Sequence, residues 1–241
     1  MRKQIPNIIT ALNLVCGCLA LMQIAKGDLL LASLLVLAGA FFDFFDGMSA
    51  RLLKVSSPIG AELDSLADVV TFGVVPSFIA FELIKSQSEL VWLPFLALLI
   101  AVFSAFRLAK FNVDDRQTDR FIGLPTPANA LFWVSLPFMQ WQIESSHSII
   151  DITPLFNFLL SPISLVIFTF FFSIALVAEI PLLSLKFKNL SWQANKSRFI
   201  LLLISLSSIL VFYFAAIPII LLLYFLISMI ENRLSGHEIQ S

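Results

Sequence analysis

Apolar residues fill this chain in runs of about 20, a length that spans a bilayer core as a helix. The runs are broken by short stretches of charge, proline or glycine. Eight can be drawn, at roughly 6–25, 29–52, 60–83, 90–111, 125–142, 159–181, 197–214 and 216–231. The last two are separated by little more than "AAIP" and predict a tight helical hairpin. "IIDITPLFNFLLSP", before the sixth run, is apolar but holds two prolines. It reads as a short re-entrant or interfacial piece. No alternating sheet pattern interrupts the runs. Without water to satisfy backbone groups, helices are the expected structure. The pattern predicts an all-α integral membrane protein of about eight transmembrane helices.

Composition agrees with the pattern: 59% of the 241 residues are hydrophobic and 13% charged, against about 45–50% and 25% in soluble domains. The formal net charge of −1 provides no basic field for nucleic acid. Basic residues set the expected orientation. With the N-terminus inside, the cytoplasmic segments hold Arg2, Lys3, Arg51, Lys54, Arg107, Lys110, Arg116, Arg120, Lys186, Lys188, Lys196, Arg198 and Arg233, 13 of the 15 basic residues. Both termini are thus expected in the cytoplasm. The basic start and apolar run of the N-terminus imitate a signal peptide, but Asn7, Thr10 and Asn13 make a poor signal core. Cys16 and Cys18 fall on different helix faces and read as small packing residues.

Four aspartates break the apolar background. Asp43 and Asp46 are spaced i, i+3, and Asp64 and Asp68 i, i+4, so each pair shares a helix face. The turn "RLLKVSSP" joins the two helices and lets the pairs face each other across one seam. An ionised aspartate at mid-bilayer costs about 2.5–3.5 kcal/mol. Four in one pocket also repel one another, and one arginine, Arg51, cannot balance them. Divalent cations remove both problems. An all-oxygen ligand set without His or Cys favours Mg²⁺ or Mn²⁺. Gly47, Ala50 and Gly60 clear space beside the carboxylates, and a guanidinium at Arg51 can hold phosphate. Together they suggest a substrate carrying a diphosphate. Asn7, Thr10 and Asn13 recur every three residues along the first helix, with Gly17 one turn on, and read as a polar wall of the donor pocket.

The series Asp43-x2-Asp46-Gly47-x2-Ala50-Arg51-x8-Gly60-x3-Asp64-x3-Asp68 resembles the signature of the CDP-alcohol phosphatidyltransferases at every fixed position. The resemblance implies metal-dependent transfer of a phosphatidyl-type group from a CDP-linked lipid to an alcohol, with release of CMP. By similarity, Asp43, Asp46 and Asp64 ligate metal, on the order of two ions, and Asp68 both ligates metal and serves as the general base. Gly47, Ala50, Arg51, Gly60, Asn7 and Thr10 fall to the CDP-lipid site. A six-span core over 1–185 and a two-helix extension over 186–241 follow from the same resemblance. So do a homodimer and a cell (inner) membrane location with a cytoplasmic active site.

Shorter stretches bear on the acceptor. "DVVTFG" (68–73), "FRLAKFNVDD" (106–115), "FIGLPTPANA" (121–130) and "AEIPLLSLK" (178–186) resemble the phosphatidylserine synthase branch of that family, as does an asparagine at Asn13. The implied substrates are CDP-diacylglycerol and L-serine. Arg107, Lys110 and Asn13 are expected at the acceptor or a lipid phosphate, with Arg107 and Lys110 offering charge to the serine carboxylate or that phosphate. Lys110 stands where that branch usually has arginine. Rival readings are the same transfer to glycerol 3-phosphate or inositol phosphate, which would want extra cations, and a divalent-cation transporter. Clustering of the acids on one side argues against a transport path.

Overall fold

A computed structural model of the protein describes residues 4–55, 57–113, 121–146, 149–183 and 191–235. The described residues are mainly helical, in this order: α1 Ile5–Ala25, α2 Leu29–Leu53, α3 Pro58–Asp68, α4 Val75–Gln87, α5 Leu98–Val113, α6 Thr126–Glu144, α7 Thr153–Leu160, α8 Pro162–Val177, α9 Trp192–Phe212 and α10 Ala216–Ser235. A two-residue antiparallel pair, β1 Phe121–Ile122 with β2 Pro181–Leu182, is the one extended contact among the described residues. Prolines mark many helix starts, including Pro6, Pro58, Pro127, Pro154 and Pro162. A first-turn proline forfeits no internal hydrogen bond.

α1 and α2 form a hairpin. Gly27, with φ +82°, makes the turn, and the Asp28 carboxylate caps α2 by accepting from Leu31 N at 2.8 Å. At the far end of α2, Lys54 takes the left-handed conformation (φ 52°), so Val55 N reaches Ala50 O at 3.0 Å. Ser57 then caps α3 by accepting from Gly60 N at 3.0 Å. α3 and α4 are one continuous span, Pro58–Gln87, joined by a π-helical segment over Val69–Val74.

Helices occur at all eight expected spans. Five stretches are long and apolar enough to cross a membrane: Ile5–Ala25, Leu29–Leu53, Pro58–Gln87, Leu93–Val113 and Asn195–Glu231. The pair α7–α8, bent by 70°, makes a sixth if it counts as one. The break falls within the proline-bearing stretch expected to be re-entrant. The difference from eight has two causes. α6 carries Thr126, Asn129, Ser135 and Gln142 and buries 12 of its 19 residues, so it has little need of an all-apolar surface. α9 and α10 are one stretch folded back at Tyr213–Ala215, where Tyr213 has φ 51°.

The core gathers around α6. Phe132 lies against Phe172 (ring centroids 4.4 Å apart) and Phe168 (5.0 Å), and Trp133 is fully buried beside them. The C-terminal hairpin is held to this core at both ends. Gln142 donates to Phe212 O and accepts from Phe214 N, each at 3.1 Å, gripping the tip. Ser228 accepts from Leu183 N at 3.1 Å, and Tyr224 donates to Leu183 O at 3.0 Å. Of the basic residues behind the expected orientation, Arg2, Lys3, Arg116, Arg120, Lys186 and Lys188 lie outside the described residues.

Candidate active site

The antiparallel packing of α2 and α3 closes the expected seam. Asp43 of α2 and Asp64 and Asp68 of α3 present carboxylate oxygens that all lie within 4.8 Å of one another. Asp46, one turn further along α2, is 6% exposed and stands apart from this triad. Its Oδ2 accepts from Thr10 Oγ1 at 2.6 Å. One turn along α1, Asn13 Nδ2 donates to Asp68 Oδ1 at 3.2 Å. α1 therefore braces both acidic helices. Thr10 and Asn13, read from sequence as pocket wall and acceptor contact, have their donors directed at carboxylates.

Thr71 locks this arrangement. It is fully buried and donates to the Asn13 carbonyl at 3.1 Å. A Cβ on Gly17 would lie 2.6 Å from Thr71 Oγ1. One on Gly39 would lie 2.6 Å from Thr71 Cγ2 and 2.9 Å from Asn13 Oδ1. Both are closer than real Cβ atoms approach, so glycine is required at each. The π-helical segment starts directly after Asp68 and carries Thr71 into this notch. Such segments recur at functional sites.

Beside the triad opens a cavity of about 200 Å³, lined by Pro6, Asn7, Thr10, Asp46, Gly47, Ala50, Val55, Ser57, Gly60, Ala61 and Asp64. Of the residues expected at a CDP-lipid site, Gly47, Ala50, Gly60, Asn7 and Thr10 are all here. Arg51 is exposed at the end of α2 and is not part of the lining. A Cβ on Gly47 would meet nothing within 4 Å. No protein atom demands this glycine, unlike Gly17 and Gly39.

The acidic cluster suits a hard divalent cation. Its donors are all oxygens, and among the described residues no basic side chain forms an ion pair with any of the four aspartates. Asp64 Oδ1 is buried with no hydrogen-bond donor. Unpaired buried carboxylates are costly, and a cation of this class takes carboxylate oxygens as ligands.

On the opposite side of Asp68 stands α5. Arg107 is 7% exposed, its guanidinium carbon 5.8 Å from the Phe111 ring centre, and its Nε has no hydrogen-bond partner. Lys110 points elsewhere, to Glu179 Oε1 at 2.6 Å. Two stretches noted separately in the sequence meet here. Gly123 N donates to Ile180 O at 3.0 Å, joining "GLPTPA" to "AEIPLL", and Leu124 N donates to Ala175 O near the end of α8 at 2.8 Å. Gly123 has φ +76° and leaves 2.8 Å between its Cβ position and Leu176 O.

The profile of the CDP-alcohol phosphatidyltransferases matches residues 3–166, which contain every one of these groups except Glu179, Ile180, Ala175 and Leu176. The chain belongs to that family. Among relatives, it is 41% identical over 138 residues to a Bacillus subtilis (strain 168) CDP-diacylglycerol–serine O-phosphatidyltransferase, covering 56% of this chain and 75% of that one. It is 37% identical over 131 residues to a protein of the same name from Helicobacter pylori (strain 26695), covering 54% and 55%. A third so named, from Methanocaldococcus jannaschii, is 37% identical over 130 residues, covering 54% and 58%. The alignments thus span three quarters of the Bacillus relative but little more than half of the other two. CDP-alcohol phosphatidyltransferases are in general metal-dependent, in keeping with the acidic triad.

Sequence reasoning passed over Gly39 and assigned Thr71 no role. The signal was a lone hydroxyl in the apolar run "VVTFGV" with glycines on both partner helices. That pattern gains meaning only once the three helices are seen to cross.

Proposed function

We propose that this CDP-alcohol phosphatidyltransferase moves the phosphatidyl group of CDP-diacylglycerol to the hydroxyl of L-serine, giving phosphatidylserine and CMP. The observation that carries this reading is the carboxylate triad beside a cavity kept clear by Gly47, Ala50 and Gly60. The names of the relatives support serine as the acceptor.

Asp43, Asp46, Asp64 and Asp68 would hold Mg²⁺ or Mn²⁺, about two ions, which when bound neutralise the diphosphate and the departing phosphate. Thr10 and Asn13 keep Asp46 and Asp68 from turning away. The cavity takes the CDP portion, and Arg51 at its margin offers a guanidinium to phosphate. Asp68 accepts the proton of the acceptor hydroxyl as its oxygen attacks phosphorus. The bond from phosphorus to the CMP oxygen breaks, and CMP leaves opposite the incoming oxygen. The enzyme works in the inner membrane with its site at the cytoplasmic face, as a homodimer.

CMP release by purified protein in detergent tests the reading. With CDP-diacylglycerol and Mg²⁺ or Mn²⁺, release is expected with L-serine and not with glycerol 3-phosphate, inositol or inositol phosphate. Asp68→Asn is expected to lower it roughly 10²–10⁴-fold. Release driven by another acceptor would keep the family and overturn serine. No release with any acceptor would overturn the transfer.

A further inference from the structure

A second cavity lies in a part of the molecule that the transfer reaction leaves without a task. It measures about 460 Å³ and sits between α6 and the C-terminal hairpin. Ala128 and Leu131 of α6, Leu201 and Leu202 of α9, and Leu221 and Tyr224 of α10 form its walls. None of its lining residues belongs to the donor cavity among α1, α2 and α3. The hairpin is tied to the core near its tip through Gln142, and again where Tyr224 and Ser228 meet Leu183. Between these ties α9 packs on α10 and leaves a slot beside α6.

Packed interiors leave few voids larger than a water molecule, and this one is far larger. Its walls are hydrocarbon apart from Ser205, Arg198 and the Tyr224 hydroxyl. That hydroxyl is already spent on Leu183 O, so water would find few polar partners inside. Leu202 lines the slot and is 55% exposed, with Leu203 and Leu206 exposed beside it. On an apolar hairpin long enough to cross a membrane, such residues face lipid. The slot therefore opens sideways into the bilayer.

One end of the slot is charged. Arg198 is the one charged residue of the lining, and no acid lines it. Its Nη1 donates to Asn195 Oδ1 at 2.9 Å, and Asn195 in turn donates to Ser191 O at 3.0 Å, which holds the guanidinium at this end. A guanidinium has donors for more than one acceptor and matches phosphate in shape. The same end of α9 carries exposed Lys196, and exposed Trp192 stacked on Phe199 with ring centroids 5.4 Å apart. Tryptophan and basic residues mark the headgroup level of a span. From Arg198 to Ser205 the slot then follows α9 for two turns, about 10 Å, toward the bilayer centre. A hydrocarbon channel with a cation at headgroup level has the polarity of a lipid that carries a phosphate.

We propose that this slot holds a resident anionic phospholipid, with one acyl chain between α6 and the hairpin and its phosphate on Arg198. The lipid serves as packing and not as substrate: it fills the gap beside α9 and fastens the hairpin to the core. The site is independent of the transfer proposed above.

Native mass spectrometry of the full-length protein in detergent, titrated with phosphatidylglycerol or phosphatidylcholine, tests this. The wild type is expected to take up one phosphatidylglycerol per chain, at a concentration roughly tenfold below that needed for phosphatidylcholine. Ala128→Trp fills the slot, and Arg198→Gln removes its charge. Each is expected to raise the phosphatidylglycerol concentration for half-occupancy about tenfold. Arg198→Gln keeps the shape of the slot and guards against a folding failure in Ala128→Trp. An excess of CDP is expected to leave the occupancy unchanged. Equal occupancy in all three proteins, or equal uptake of the two lipids by the wild type, overturns the proposal. Displacement of the lipid by CDP would put it in the donor cavity and overturn the slot. So would a wild type that takes up no lipid and loses its dimer in Ala128→Trp, which would give the slot to a second copy of the chain.

Discussion

The two sides of Asp68 treat their polar groups in opposite ways. Toward α1 and α2, the donors are spent on neighbours, Thr10 on Asp46, Asn13 on Asp68 and Thr71 on the Asn13 carbonyl, and the unpartnered atoms, Asn13 Oδ1 and Asp64 Oδ1, are acceptors. Toward α5, α6 and α8, Ser104, Arg107, Thr126, Asn129 and Ser173 are buried with atoms left unpartnered. Inside a membrane neither choice is neutral, because an unsatisfied polar group there costs several kcal/mol. A braced side suits groups that must hold one geometry around metal. An unsatisfied side suits groups that complete their hydrogen bonds only when a small polar molecule arrives.

The glycines repeat the contrast within one helix, and they give the sharpest ways to break it. Gly39→Ala forces a methyl to 2.6 Å from Thr71 Cγ2. Thr71 is short and fully buried, so it cannot swing clear. We expect a loss of about 1–3 kcal/mol from overpacking, seen as a lower thermal unfolding midpoint in detergent, with activity falling alongside. Gly47→Ala meets no atom. It should hold or raise the midpoint, since alanine is favoured over glycine in a helix by about 0.8–1 kcal/mol, and yet raise the KM for CDP-diacylglycerol. If both variants lost only stability, Gly47 would be a packing residue and not part of a substrate site.

Asn13→Ala should act mainly on turnover. It removes the donor to Asp68, a charge-assisted bond of about 1.5–3 kcal/mol, so kcat should fall by roughly 10–100-fold with the serine KM little changed. A selective rise in the serine KM would instead return Asn13 to the acceptor site. The smallest effect is expected from Lys110→Ala. Its partner Glu179 is exposed, with side-chain exposures of 42% and 58% for the pair, and such bridges contribute about 0.2–1 kcal/mol. A large loss of serine affinity would show that Lys110 leaves Glu179 to meet the substrate.

Much of the donor side could be read from sequence, because helical periodicity places Asp43 with Asp46 and Asp64 with Asp68 without any knowledge of the fold. The short turn at Pro58 then forces the pairs together. Thr10 and Asn13 were visible as a polar stripe, but their partners depend on how α1 crosses α2 and α3. The π-helical segment at Val69–Val74 left no trace in an unbroken apolar run. The side toward α5, α6 and α8 was harder. Ser104, Thr126, Asn129 and Ser173 are scattered over 70 positions of the chain, and only the packing of α5, α6 and α8 brings them to similar depths. α6 passed for an ordinary span because a run of Phe, Trp, Val and Leu looks the same whether it faces lipid or protein. "GLPTPA" and "AEIPLL" were noted as separate stretches, and their pairing is a long-range contact that no local pattern encodes.

We propose that Asp43, Asp64 and Asp68 act as one divalent-cation centre. Titration of Mn²⁺ into the purified protein, followed by electron paramagnetic resonance, tests it most directly. Saturable binding by the wild type, lost or strongly weakened in folded Asp64→Asn, is the predicted result. Equal Mn²⁺ binding by the two proteins would contradict it.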